Sequence, residues 1–176
     1  QNKTYAQSNL MKLYYNKKDY PNSGIYAEKV LMNPKADDNV KSDAQIIIAR
    51  AAIETGDEAK AKVAYAKVLA IAKGELAAEA LYYDAYFKNK EGKFEASNAA
   101  VQKIAKNYSS YKYFGAKGLI LMAKNFYGLK DSYQATYILE NVIQNFTDYP
   151  DVVSEAKTEL NAIKTEEAKT NSSITK

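Results

Sequence analysis

The sequence has 176 residues, of which 47% are hydrophobic, and its 25 basic and 21 acidic side chains give a formal charge of +4. It has no Cys and no His, which excludes thiol nucleophiles, imidazole bases and the ligands of most zinc, haem and iron–sulfur sites. Only 7 Gly and 3 Pro punctuate it, too few for the turns of an all-β fold. We therefore expect one all-α domain that is not an enzyme and binds no cofactor.

Charge and hydropathy are spread evenly along the chain. The longest basic run is Lys17-Lys18, whereas a nucleic-acid-binding stripe requires clustered cations. The chain has no run of about 20 apolar residues, and it opens with Gln1-Asn2-Lys3 instead of Met and an apolar signal core. We expect a mature product or a fragment of a longer protein, and the composition fits the cytoplasm and the periplasm equally well.

Four short turns recur at a regular interval. They occupy residues 17–20, 55–58, 91–94 and 129–132, each between two segments of helical length. Their third residues are spaced 38, 36 and 38 apart, close to the interval of about 34 residues that marks stacked helix pairs. The spacing predicts four helical hairpins, each with a first helix, called A, and a second helix, called B.

The predicted hairpins run over residues 4–33, 42–73, 78–109 and 116–147. Each B helix ends where Asn, Pro, Gly or Ser residues appear. After Pro150 an apolar stripe follows at helical spacing, formed by Val152, Val153, Ala156, Leu160 and Ile163. This stripe predicts a capping helix over residues 151–164. We expect residues 1–164 to form one repeat domain and residues 165–176 to form a polar, disordered tail.

Small and aromatic residues recur at the same places in these hairpins. The second hairpin has Ala49, Ala61 and Tyr65, and the fourth has Ala123, Phe126, Ala135 and Leu139. The pattern resembles the tetratricopeptide repeat family. The first hairpin departs from it with Met11 at a small site, and the third departs with Asp84 and Lys88 at apolar sites. Asp84 and Lys88 are i, i+4 partners, so we expect an ion pair on the helix surface.

The resemblance implies a right-handed superhelical solenoid of about four hairpins plus the capping helix, with the A helices lining a concave groove. It further implies a non-catalytic scaffold that binds a peptide or partner protein in this groove. The B-helix ends Lys106-Asn107-Tyr108 and Gln144-Asn145-Phe146 are similar to repeats of bacterial envelope proteins. We therefore expect the C-terminal repeats of a large periplasmic or outer-membrane-associated protein, with the cytoplasm as the alternative. Any membrane association is expected to be indirect, through an upstream anchor or a partner.

The family register also implies which residues face the groove. They include Tyr5, Lys12, Tyr15, Arg50, Ile53, Tyr82, Tyr86, Lys90, Lys117, Lys124 and Tyr127, together with the carboxylates Asp43, Glu54 and Glu79. Tyrosine and arginine are favoured interface anchors, and the cations could clamp an acidic partner or a terminal carboxylate. The alternatives are that the tyrosines pack between repeats and that the lysines are merely solvated.

Two other classes of ligand fit the same groove. Tyrosines interleaved with lysines could stack the bases of a single-stranded nucleic acid, although the even charge distribution makes nucleic acid the weaker partner. Aromatic faces could also bind a glycan, although the sequence has no Trp. The predicted partner remains a protein or peptide.

Overall fold

All regular elements in the computed structural model, which describes residues 2–174, are α-helices. In chain order they are α1 (Asn2–Asn16), α2 (Tyr20–Leu31), α3 (Asp38–Glu54), α4 (Glu58–Ile71), α5 (Gly74–Lys90), α6 (Phe94–Asn107), α7 (Lys112–Gly128), α8 (Ser132–Asn145) and α9 (Pro150–Ile174). Consecutive helices pair as the predicted hairpins, with α1, α3, α5 and α7 as the A helices. The predicted all-α helical-repeat class is confirmed for these residues.

The turn inside each hairpin has the same backbone conformation. The second residue of each turn has positive φ, at 60° in Lys18, 74° in Gly56, 71° in Gly92 and 67° in Lys130. In each case the next residue donates its N–H across the turn, as Asp57 does to the Ala52 carbonyl at 2.9 Å. These bonds satisfy carbonyls that the end of the A helix would otherwise leave without partners. The sequence repeat is thus a structural repeat.

Aspartates begin three of the four B helices. The side chains of Asp19, Asp57 and Asp131 accept hydrogen bonds from backbone N–H groups at 3.2, 3.0 and 2.9 Å. Such N-caps satisfy donors that have no partner inside the helix. Lys93 holds the equivalent position in the third hairpin and provides no side-chain cap.

Residues up to Tyr83 form one compact unit, here called the N-terminal unit, and residues from Asp84 onward form the C-terminal unit. In the N-terminal unit, α2 packs on α1 and α3, and α1 also packs on α3. Met11 is fully buried there, although it stands at a site where the family pattern has a small residue. The small side chain of Ser23 on α2 donates a hydrogen bond to the Met11 carbonyl at 2.9 Å.

The C-terminal unit consists of the end of α5 together with α6 to α9. Helix α7 packs on α6, α8 and α9, and α8 also packs on α9. A core forms between them from Ala116, Ile120, Ala123, Ala135, Leu139, Val142, Val152, Ala156, Leu160 and Ile163, among others. Asp84 pairs with Lys88 at 2.7 Å, which confirms the predicted surface ion pair.

Helix α9 differs from the predicted cap and tail. It begins at Pro150 and continues to Ile174, through most of the segment that we expected to be disordered, while residues 175–176 lie outside the described part of the chain. Contacts along its second half account for the extension. Glu167 accepts a hydrogen bond from Ser132 at 3.3 Å, and Lys169 pairs with Glu166 one turn away.

Candidate functional site

Arg50, a predicted groove residue of the N-terminal unit, forms a bidentate ion pair with Glu79. The guanidinium of Arg50 on α3 donates to both carboxylate oxygens of Glu79 on α5, from Nε at 2.8 Å and from Nη2 at 2.5 Å. Glu79 is only 4% exposed, whereas the Arg50 side chain is 38% exposed. Bidentate geometry fixes the guanidinium plane, so Arg50 presents its outer edge to solvent in one orientation.

Tyr65 completes this arrangement from α4. Its hydroxyl donates to Glu79 at 2.9 Å, and its ring stacks on Tyr83 with centroids 4.1 Å apart. Burial, together with the negative charge of Glu79, raises the pKa of Tyr65 far above its usual 10.0. The hydrogen bond from Arg50 to Glu79 likewise raises the pKa of Arg50. Glu79 therefore accepts hydrogen bonds from two donors that stay protonated.

Tyr15 lies close to Arg50, and Tyr20 adjoins Tyr15. Tyr15 is half-buried, and its ring centroid is 5.8 Å from that of Tyr20. Burial raises the pKa of Tyr15 although the charge of Arg50 opposes the change. Tyr20 donates to Glu54 at 3.4 Å, and desolvation followed by the charge of Glu54 raises its pKa. Both phenols therefore stay neutral and can act as hydrogen-bond donors.

The other predicted residues of this unit are arranged less uniformly. Ile53 is half-buried, and Lys12 pairs with Asp43 at 2.6 Å. Tyr5 is 72% exposed, whereas Tyr82 is buried, with its ring centroid 5.0 Å from that of Tyr83 in an edge-to-face arrangement. Tyr82 therefore fits the alternative of packing between helices, and it is not available to a partner.

In the C-terminal unit, α9 contacts most of the predicted residues. Lys117 on α7 pairs with Glu155, and Lys124 pairs with Glu159 at 2.7 Å. The hydroxyl of Tyr127 is close enough to Glu167 that desolvation and this carboxylate raise its pKa. Helix α9 therefore occupies the surface of α7 that we predicted to face a partner.

The end of α5 carries the remaining two predicted residues, Tyr86 and Lys90. The Lys90 ammonium lies 5.6 Å from the centroid of the half-buried Tyr86 ring. Nearby, Asn89 donates to Asn125 at 2.8 Å, and Asn125 donates in turn to Asn98 at 2.7 Å. Asn125 is fully buried, so this network links α5, α6 and α7 through satisfied polar groups.

We use the term Arg50 face for the surface formed by Tyr15, Tyr20, Arg50, Ile53 and Glu54. All of its members except Tyr20 were predicted to face the groove, and Tyr20 was missed because it lies at the turn after α1. The pairing of the predicted cations with carboxylates was not predicted. The sequence offered one signal: Asp43 follows Lys12 by 31 residues and Glu79 follows Arg50 by 29, somewhat less than the 36 to 38 residues that separate successive turns.

Four of the five cations of the predicted groove already have carboxylate acceptors. Lys12, Arg50, Lys117 and Lys124 each form an ion pair with a carboxylate on the next A helix or on α9. A carboxylate of a partner would have to displace one of these acceptors. The geometry therefore favours recognition through tyrosine and arginine hydrogen bonding over a carboxylate clamp.

Comparisons with protein-family models and with curated proteins identify no family for this chain. No protein-family model matches the chain, and no curated protein matches it either. Within residues 2–174, no helix combines the length and apolar character needed to span a membrane. The same residues contain no group of three or more side chains arranged to hold a metal ion.

Proposed function

We propose that the chain is a tetratricopeptide-type repeat module that binds a peptide or helix of a partner protein on the Arg50 face, and that it works without catalysis. The observation that carries this proposal is the Arg50 guanidinium, which is oriented by buried Glu79 and lies close to Tyr15, whose ring in turn contacts that of Tyr20. The small and aromatic positions of the hairpins support the family assignment, and the confirmed helical-repeat class is compatible with it.

The residue types of the Arg50 face suit protein recognition. Arginine and tyrosine dominate the energetics of many interfaces because they combine a large contact area with hydrogen-bond donors. Arg50 loses little conformational freedom on binding, since Glu79 already fixes it. Because the pair is electrically neutral, we expect its remaining N–H donors to bind carbonyl groups of a partner backbone.

Helix α9 provides an example of the same kind of contact inside the chain. Val152, Ala156, Leu160 and Ile163 are buried against α7 and α8, while Glu155 and Glu159 pair with lysines of α7. An amphipathic helix with an apolar stripe and flanking polar groups thus packs on an A helix. A partner helix of similar character is the ligand that we propose for the Arg50 face.

The charge pattern favours a protein ligand over a single-stranded nucleic acid. Binding to phosphates requires cations whose counterions can be released, whereas Lys12 and Arg50 are compensated by Asp43 and Glu79.

By resemblance to repeats of bacterial envelope proteins, we place the module in the periplasm or at the outer membrane. Glu79 accepts bonds from Arg50 and Tyr65, which supports a structural role for this carboxylate.

The test compares two tyrosine variants of the purified chain. A partner is captured from an extract of the source cell, identified and purified, and its affinity is then measured for the wild type, Tyr15→Ala and Tyr133→Ala. Tyr133 is a matched control because it is 78% exposed on α8. We expect Tyr15→Ala to weaken binding about tenfold or more, the loss of an interface anchor, and Tyr133→Ala to leave it unchanged.

The reverse result would contradict the Arg50 face as the binding site. A single-stranded oligonucleotide that binds tightly at low salt and is released steeply as salt rises would contradict the choice of a protein partner. Circular dichroism of each variant provides the control that helicity is unchanged.

A further inference from the structure

The C-terminal unit contains an apolar cleft of about 410 Å³ on the side of α7 that lies between α6 and α8. Its walls are mainly hydrophobic and come from Val101, Ile104, Ala105, Leu119, Met122 and Phe146. The volume lies within the range of about 300–1,000 Å³ typical of small-molecule sites. Gly115 on α7 also lines the cleft, and a Cβ added there would meet nothing within 4 Å. The missing side chain therefore leaves open space.

The lining of this cleft carries a positive charge but no negative charge. Its polar groups are Gln102, Tyr108, Ser109, Lys112 and Asn145, so the lining includes one cation and no carboxylate. Lys112 is exposed, and no described residue forms an ion pair with it. A ligand with an apolar body and one negative charge would match this lining.

The N-terminal unit provides an internal contrast. A cleft of about 190 Å³ lies there against α2, α3 and α4, and its lining includes Glu28, Asp57 and Lys60. This cleft is smaller, and its charges are mixed. The apolar, singly charged cleft of the C-terminal unit is thus not a general consequence of stacking helical hairpins.

We propose that the cleft of the C-terminal unit binds a single-chain amphipathic carboxylate. The hydrocarbon chain would lie among Val101, Leu119 and Met122, and the carboxylate would pair with Lys112. A partner helix suits the cleft less well, because its lining on α8 is limited to Asn145 at the helix end and the adjoining Phe146. A helix would need a groove that continues along the whole element.

The three methionines of the chain make the test direct. Met122 lines the cleft, Met11 is fully buried in the N-terminal unit, and Met32 is 80% exposed. In protein labelled with ¹³C at the methionine methyl groups, dodecanoate is titrated below its critical micelle concentration. We expect a saturable shift of the Met122 signal, with Met11 and Met32 unchanged.

Two substitutions separate the cleft from the rest of the surface. A Cβ at position 115 would meet no other atom, and leucine has a higher helix propensity than glycine, so Gly115→Leu should keep the fold, occupy the cleft and abolish the Met122 shift. Gly24→Leu is the matched control, because Gly24 lies in α2, lines the smaller cleft and also has open space around it. We expect this variant to bind dodecanoate as the wild type does.

The charge of the ligand is tested at Lys112. We expect Lys112→Glu to weaken dodecanoate binding about two- to fivefold, as for the loss of an exposed ion pair, and to favour dodecyltrimethylammonium. Lys106→Glu is the control, since Lys106 is exposed on α6 outside the lining. Equal affinity of the wild type for the two detergents would overturn the carboxylate assignment.

Three results would overturn the proposed site itself. The first is a Met32 shift that parallels the Met122 shift, which indicates general adsorption. The second is a Met122 shift that survives Gly115→Leu. The third is a Met122 signal that ignores dodecanoate and moves only with a protein partner, which would make the cleft a protein-docking site.

Discussion

The two units use the same pairing of A-helix cations with carboxylates, but they place it in different surroundings. In the N-terminal unit, Arg50 reaches a buried glutamate that also accepts a bond from Tyr65. In the C-terminal unit, Lys117 and Lys124 pair with half-buried glutamates of α9. The exposure of the carboxylate separates the two pairings: the side chain of Glu79 is 5% exposed, whereas those of Glu155 and Glu159 are 33% and 29% exposed. Breaking a pair costs more when its carboxylate is buried than when it is partly solvated. The first pairing builds a rigid surface and the second positions a terminal helix.

The largest effect that separates the two pairings is expected from Glu79→Ala. This change leaves Arg50 without its carboxylate and the buried Tyr65 hydroxyl without its acceptor. We expect it to lower the free energy of unfolding by about 2–3 kcal/mol, below the full penalty for breaking a buried pair because Arg50 is partly solvated.

The matched control is Glu155→Ala in the C-terminal unit, for which we expect a loss of less than about 1 kcal/mol. Urea denaturation of both variants, followed by circular dichroism, measures the difference. Equal losses would show that burial does not distinguish the two pairings.

The stability of the N-terminal unit should depend on pH through Tyr65. Burial raises the pKa of Tyr65 above its usual 10.0, so the folded state keeps this proton at pH values where the unfolded state releases it. The contribution of Tyr65 to the free energy of unfolding should therefore be fully present below about pH 10 and should decrease as the pH rises further. We expect Tyr65→Phe, which cannot titrate, to show a flatter decline.

At neutral pH the same variant should lose about 1–2 kcal/mol, because Glu79 loses one hydrogen-bond donor. Thermal unfolding between pH 8 and pH 11 measures both effects. Tyr133→Phe is the control, since Tyr133 is mostly exposed. An alkaline decline that is identical in wild type and Tyr65→Phe would contradict a perturbed Tyr65.

The smallest effect is expected from the pair of Lys124 and Glu159, which lies 2.7 Å apart in the C-terminal unit. In a double-mutant cycle with Lys124→Gln and Glu159→Gln, the coupling energy should be about 0.2–1 kcal/mol and should decrease as salt is added. A larger coupling that salt does not change would place this pair in the same class as Arg50 and Glu79.

Much of the fold could be predicted from sequence because local rules determine it. The turns repeat through residues that adopt positive φ or cap a helix, such as Gly56 and Asp57, and these signals act within a few residues. The extension of α9 to Ile174 was missed because it depends on contacts with distant residues such as Ser132.

The site could be predicted only in part for a related reason. The family register indicated which residues share the A-helix side, Tyr15 and Arg50 among them. It does not say how deep a side chain lies, so Tyr82 was counted as a groove residue although it is buried. The carboxylate partner of Arg50 belongs to another helix, and pairings of that kind depend on packing distances that the pattern does not contain.

We propose that a partner binds the Arg50 face of the N-terminal unit. In the C-terminal unit, α9 occupies the corresponding surface of α7. The most direct measurement introduces a photo-crosslinking amino acid in place of Tyr15 in one preparation and in place of Tyr127 in another, and then adds the purified partner. We predict crosslinks to the partner from position 15, and crosslinks within the chain to α9 from position 127. Partner crosslinks from position 127 and none from position 15 would contradict the account.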